Sequence, residues 1–527
     1  MEAERDGKQS LDNKIGVGWE ATWGETYQDI RDMHRLGKKQ VFKRNFGFWG
    51  TLGFVSIYMA TWEVALISSS AGFRNGGFAG LLWTYIGTTT CYASIVASLA
   101  ELESMAPTSG GQYHWVSEFA PAEYQKFLSY SMGWMSALAW LSANASGAFL
   151  NVTIIQTCLE VTRPEFSFTN WQFTLIMLGF IIVILGFNTI GSRALPVFET
   201  LSLVGHVLAF LIVFVVCWVM CRPLNTARDV FTRFVESGGW GNVGTGCLIS
   251  QVTVIYCIIG SDSIVHISEE VEDASSIVPR TMWWSYVCNV VLGGIMLITM
   301  LFCIGPLEDV LQADTPYVPL FRNTGSPRVA LFLTVILFIL LTAANITSFA
   351  TVSREVWAFA RDRGFPFSRW ISRMNRKYNI PFNSAYLTAV GGGCLSLINL
   401  GSTFAFNIMV SLPILALLST YMITTGCILL LRIKGEPLPP ARWSLGRFGL
   451  PINVFAFFYS AFVIVFSCFP TSPPAGLRDT NWAPLIWFGV LAFSMMTYAL
   501  HGKRHFTPPV MFVEGRRMEG VGIQATG

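Results

Sequence analysis

Read for runs of about 20 mostly apolar residues, the length that crosses a bilayer as a helix, the chain offers twelve. They lie near 46–71, 78–104, 124–158, 171–190, 196–221, 247–267, 281–305, 329–352, 384–400, 403–432, 450–469 and 482–500. The third is overlong and is expected to begin as a surface helix; the ninth is the weakest. The pattern predicts an all-α polytopic membrane protein. A transmembrane domain of about 12 helices over 46–500 lies between two tails, 1–45 and 501–527, which carry no apolar periodicity and are read as mobile. No connection is long enough for a large soluble domain, so whatever chemistry the chain performs takes place within the membrane.

Composition sharpens this. Of 527 residues, 52% are hydrophobic and only 13% charged, with 41 Phe and 18 Trp, more apolar surface than a soluble core of this length hides. A soluble enzyme, a disordered chain and a nucleic-acid binder are excluded, and a formal charge of +3 implies no basic face for phosphate. The eleven cysteines fall in or near apolar runs without a C-x-x-C pair, so ordinary packing is expected of them rather than disulfides or a metal. Residues 1–45 lack a short apolar run with a small-residue cleavage site, so the first span is expected to act as an uncleaved insertion signal.

Lysine and arginine set the orientation. With the N-terminus inside, 27 of the 35 basic residues fall on the cytoplasmic side and 8 on the other. Both termini are therefore expected in the cytoplasm, with an even number of spans.

Two spans break the rules of a membrane helix. The sixth carries Gly260-Ser261-Asp262-Ser263 in its middle, where Gly leaves the backbone unconstrained and Ser and Asp compete for its hydrogen bonds. An ionisable residue at that depth needs a polar cavity or a partner. The first carries Ala60-Thr61-Trp62-Glu63 with no basic neighbour in the segment. The two runs open roughly 200 residues apart, the pattern of two inverted five-helix repeats meeting at discontinuous helices 1 and 6. Alternatively, Asp262 caps a kink and Glu63 merely ties helices together. His206 in the fifth span titrates near neutral pH and is a candidate for proton coupling, or else an interhelical donor. Glu199 is expected at the membrane interface. Asn345 and Thr347 read as packing glue.

Three stretches on the expected cytoplasmic face carry a resemblance. They are Glu101-Leu102-Glu103-Ser104-Met105-Ala106-Pro107-Thr108-Ser109-Gly110-Gly111-Gln112, then His266-Ile267-Ser268-Glu269-Glu270 with Val278-Pro279-Arg280, then Ser353-Arg354-Glu355 through Arg361-Asp362-Arg363-Gly364. Together they resemble the amino acid–polyamine–organocation permease superfamily, most of all its fungal amino acid, choline and GABA permease branch, over roughly 46–500. Pro107 and Gly110-Gly111 are expected to end span 2 and turn the chain along the inner surface. The resemblance implies a secondary transporter, with two helices added to the repeats, whose unwound segments fall near Thr61, Trp62 and Glu63 and at Gly260, Ser261 and Asp262. Many relatives have Gly-rich sequence where this chain has Thr-Trp-Glu; some have a span 5 lysine that mimics a coupling cation, whereas here span 5 has no lysine and His206 stands near that position. Glu269 and Glu270 with Arg280 and Arg354 are expected to form an inner ionic gate, or else a static loop anchor.

The expected function is import of a small amine-bearing solute, such as an amino acid, GABA or choline, by proton symport with alternating access, at the plasma membrane by default. Glu63, Asp262 and Trp62 suit a positive amine head; a zwitterion's carboxylate would instead meet helix N-termini. No cofactor or metal is expected, and the partners are the solute, the proton and the lipid bilayer. The alternatives are a specialised metabolite as cargo, a transporter-like nutrient sensor, and a membrane-embedded enzyme. The last is disfavoured because the six histidines are scattered.

Overall fold

The computed structural model describes residues 24–514 apart from 163–165, 314, 376, 379, 402–404, 474–475 and 477–479. The outer parts of both expected tails, 1–23 and 515–527, lie outside the described residues, as do Arg163, Arg376 and Arg478 of the charge count. Named elements are all helical among the described residues, and 10 helices are long and apolar enough to cross a membrane.

The first span is two helices, α1 (Phe48–Met59) and α2 (Thr61–Ser68), with Ala60 between them in the left-handed region at φ 42°. Next come α3 (Ser70–Met105), α4 (Gly111–Phe119), α5 (Gln125–Thr162), α6 (Asn170–Ile190) and α7 (Leu195–Met220). The sixth span is also split. Its outer half is α8 (Val243–Ile258), and after an irregular turn its inner half is a 3-10 helix, Ser263–Glu270. The major helices end with α9 (Ala274–Cys303), α10 (Pro327–Arg361), α11 (Phe382–Ser396), α12 (Ala405–Lys434), α13 (Gly449–Ser467) and α14 (Ala483–Thr497).

Two of the twelve expected spans are not among those 10 helices. The second lies in α3, which is 36 residues long and kinked at Gly77 (φ 65°). The ninth, the weakest run, is α11, only 15 residues. The third has no separate surface start, since α5 is continuous from Gln125. The chain turns after Pro107 as expected, but α4 is buried from end to end rather than lying on the surface.

Burial sorts the helices. The most extensive pairings set α3 against both α8 and α9, α5 against α10 and α12, and α12 against α13, while α1 and α2 pack on α9. Helices α6, α7, α13 and α14 turn Ile182, Val183, Leu201, Phe458, Phe462 and Leu485 outwards, as lipid-facing helices do.

The tails depart from expectation. The part of the N-terminal segment in view is ordered: Tyr27–Arg35 is a helix closed by a Thr26/Asp29 capping box. Leu36, Phe42 and Phe46 are buried in the main core. From the other terminus, Phe506, Val510 and Val513 are buried beside it. A few large apolar side chains suffice to dock a polar segment whose sequence shows no periodicity.

Candidate functional site

The two helix breaks face each other. Gly260 has φ +96°, and a Cβ there would lie 2.0 Å from Cε1 of Tyr58, so the Tyr58 ring rests directly on the turn. The amide of Thr61 donates to Asn289 Oδ1 on α9 at 3.5 Å, satisfying one of the amides left over where α2 begins.

A small cavity of about 60 Å³ lies at this junction, lined among others by Tyr58, Ala60, Ile259, Tyr256, Asn345 and Ser348. Its walls come from α1, α2, α5, α8, α10 and Pro413 of α12. The Tyr256 hydroxyl is 2.8 Å from Ser146 Oγ. Asn345 Oδ1 accepts from Asn144 at 2.8 Å, while Asn345 Nδ2 and Ser348 Oγ are buried with no hydrogen-bond partner. No charged side chain lines the cavity. Towards the far end of the first span lies a wider vestibule of about 390 Å³, sharing Leu150 with the cavity and reaching Arg74, Thr315 and Thr471.

The residues singled out from sequence sit around this cavity rather than in its wall. Ala60 and Val64, one turn apart, face it. Glu63 and Trp62 lie on the other side of α2, against α7. There Glu63 Oε1 is 2.7 Å from His206 Nδ1, both groups being 1% exposed. Glu63 Oε2 and His206 Nε2 have no further partner. The Trp62 ring packs on His206 (5.8 Å between centroids) and Phe210 (6.1 Å). Glu63 also stands in the first turn of α2, where the helix dipole favours a negative charge. Asp262 faces the other way: Oδ2 accepts from Gln112 Nε2 at 2.5 Å and Oδ1 from the Tyr421 hydroxyl at 2.6 Å. Ser261 is buried. Glu199, expected at the interface, is fully buried and accepts from Thr347 at 2.8 Å, because α7 turns that face into the bundle.

On the side where both termini sit, ion pairs seal the bundle. Arg354 Nε meets Glu270 Oε1 at 2.9 Å. Arg361 grips Glu269 with both guanidinium nitrogens, at 2.8 and 2.9 Å, and Glu269 also accepts from the Ser109 amide at 3.2 Å. Arg280, expected in this set, is exposed and forms no ion pair among the described residues; its place is taken by Arg361. Over the seal, Lys38 pairs with Asp362 at 2.5 Å, and Tyr113 donates to the same carboxylate at 3.0 Å. Burial pulls the Lys38 ammonium below the ordinary lysine range, against the opposing pull of the Asp362 carboxylate. Gln112 and Tyr421 escaped the sequence reading: Gln112 looked like part of a turn motif, and Tyr421 sits in an otherwise unremarked apolar run. Among the described residues no group of three His, Cys, Asp or Glu is placed to hold a metal ion.

Comparison with known proteins follows the same lines. A family model described as amino acid permease matches residues 46–493. The chain is 26% identical to a choline transporter of Saccharomyces cerevisiae, over 88% of this chain and 82% of that one. It is 25% identical to a GABA-specific permease of the same yeast, over 95% of this chain and 89% of that one. Among solved structures, a manganese transporter of Eremococcus coleocola superposes with a TM-score of 0.53 at 14% identity, covering 87% of this chain and 95% of the other. That likeness is one of fold.

Proposed function

The chain belongs to the amino acid permease family, and we propose that it is a secondary active transporter that carries a small amine-bearing solute, an amino acid, GABA or a choline-like compound, by proton symport with alternating access. The observation that carries this reading is the small cavity where two broken helices meet, bordered on one side by a vestibule, with ion pairs beyond it on the other. About 60 Å³ is room for roughly two waters, so binding would widen it. The unpartnered Asn345 Nδ2 and Ser348 Oγ give the solute polar contacts. The faces of Tyr58 and Tyr256, with the last carbonyls of α1 and α8 at the two breaks, suit an ammonium group.

Protons would enter through the Glu63–His206 pair, one helix turn behind the cavity wall. A buried pair of this kind carries a net charge that changes with one proton, and α2, on which Glu63 sits, also forms the wall through Ala60 and Val64. Binding and protonation then act on one short helix. Asp262, held by two neutral donors, would anchor the inner half of the sixth span while the solute is bound.

The sealed face would be the cytoplasmic one, with Glu269–Arg361 and Glu270–Arg354 breaking as the site opens inwards. That orientation rests on the basic residues gathered there, and the plasma membrane is the proposed home. Helix packing supports the inverted repeat: α8 on α3 mirrors α1 and α2 on α9.

The test is uptake of labelled choline, GABA and a panel of amino acids into permease-deficient yeast at pH 5 and pH 7.5. Saturable uptake of one of them, greater at pH 5 and abolished by a protonophore, is expected. No uptake of any, with the protein at the cell surface, would overturn the substrate class in favour of a specialised metabolite or a sensor.

A further inference from the structure

A cavity of about 830 Å³ lies apart from the one between the broken helices. It is a groove on the outer flank of the bundle, near the side where the termini sit, running between α5, α11 and α14. Its lining is apolar throughout, including Trp134, Leu138, Leu387 and Val490. It runs into a second cavity of about 440 Å³, with which it shares Phe365, Phe367 and Trp370. That second cavity is basic: Arg363, Arg369, His501 and His505 line it, and no acidic side chain does.

Neither arginine is neutralised. Arg363 and Arg369 are exposed and pair with no acidic group among the described residues, although Asp362, next in sequence to Arg363, is taken up by Lys38. The imidazoles of His501 and His505 stack at 4.4 Å. At the junction, Phe367 is 84% exposed and Trp370 53%, and Phe367 is held there by a backbone in the left-handed region (φ 59°), where a bulky residue is strained. Two large rings projecting from a membrane protein between an apolar groove and a cationic pocket mark the depth of the headgroup boundary.

We propose that this composite site binds an anionic phospholipid of the leaflet on the terminal side. An acyl chain would lie in the groove, and the headgroup phosphate would sit on Arg363 and Arg369. The groove's walls are membrane-spanning helices, so hydrocarbon is the natural occupant. The unpaired guanidinium groups at one end select the charge, since basic pockets between spans on the cytoplasmic side favour anionic headgroups. Both arginines flank the segment that leaves α10, which also carries Arg354 and Arg361 of the seal.

The test is native mass spectrometry of the purified full-length protein titrated with phosphatidylserine or phosphatidylcholine of the same acyl chains. Phosphatidylserine is expected to be retained preferentially. Each arginine at a charged headgroup is worth about fivefold in affinity, so Arg363→Gln with Arg369→Gln should lower phosphatidylserine retention by about 25-fold and retention of phosphatidylcholine, whose headgroup is neutral overall, by much less. Val490→Trp, which fills the groove from its α14 wall and leaves the arginines intact, should lower phosphatidylserine retention as well. Inorganic phosphate in millimolar excess should not displace the lipid. Equal retention of both lipids, unchanged phosphatidylserine retention in either variant, or displacement by phosphate alone would overturn the proposal.

Discussion

His206 and Glu63 come from spans far apart in sequence and meet at 2.7 Å with both groups buried. If this pair couples transport to protons, His206→Gln, which keeps a polar side chain but cannot titrate, should bring the ratio of uptake at pH 5 to uptake at pH 7.5 close to one while the solute still binds. A ratio like that of the wild type would remove His206 from the coupling path. Gly260 makes a second demand at this scale. Any side chain there meets both a positive φ, a strain of about 1–2 kcal/mol, and the Tyr58 ring. Gly260→Ala should therefore reduce uptake by about tenfold or more, and the loss should be much smaller in a Tyr58→Ala background, as expected of two residues in direct contact. Additive losses in the double variant would mean that the contact is not what fixes the turn.

The elements that matter most are short ones: α2, with eight residues, and the eight-residue 3-10 helix from Ser263 to Glu270. Both were legible in the sequence because Thr-Trp-Glu and Gly-Ser-Asp-Ser are poor and expensive runs for a membrane helix, and the breaks fall at Ala60 and Gly260 as those runs suggest. What each polar residue faces was not legible. Glu63 and Asp262 read alike as carboxylates at bilayer depth, yet one meets a histidine on α7 and the other a glutamine and a tyrosine, 150 and 159 residues away. Pairings of that range follow from helix rotation and packing, which a sequence of nearly uniform hydrophobicity does not encode locally. Asn345 and Ser348 were hidden for the same reason: a polar residue on a span looks the same whether it faces a neighbour or a cavity. At the seal, Glu270→Gln leaves Arg354 buried without its counter-charge, a loss of about 3–5 kcal/mol in the closed form. The open form should gain population, read as faster labelling of a Thr351→Cys reporter by an impermeant maleimide from the inner side, above the background of the eleven native cysteines. Unchanged labelling together with unchanged uptake kinetics would reduce the ion pairs to a static anchor.

At the scale of the whole molecule, both terminal segments close over the same face. Thr507 donates to the Asp362 carbonyl at 3.1 Å, Val510 to Ser117 Oγ at 3.0 Å, and Glu514 to the Arg35 carbonyl at 2.7 Å. A polar composition concealed this; the Thr26–Asp29 capping box was its one readable signal. Truncation before Phe506 exposes what Phe506, Val510 and Val513 cover and forfeits roughly 5 kcal/mol of apolar burial. It should lower the melting temperature and speed inner-side labelling together; a change in neither would show the segment to be passive. The bundle beneath was readable almost throughout, since ten of the twelve apolar runs fall on helices able to cross a membrane and the other two on a kinked helix and a short one. The central claim is that one proton-linked site between the broken helices drives the solute uphill. Uptake by the purified protein in liposomes under an imposed inward proton gradient tests it most directly. Accumulation above equilibrium that collapses with a protonophore is the predicted result; uptake that only equilibrates, whatever the gradient, would contradict it.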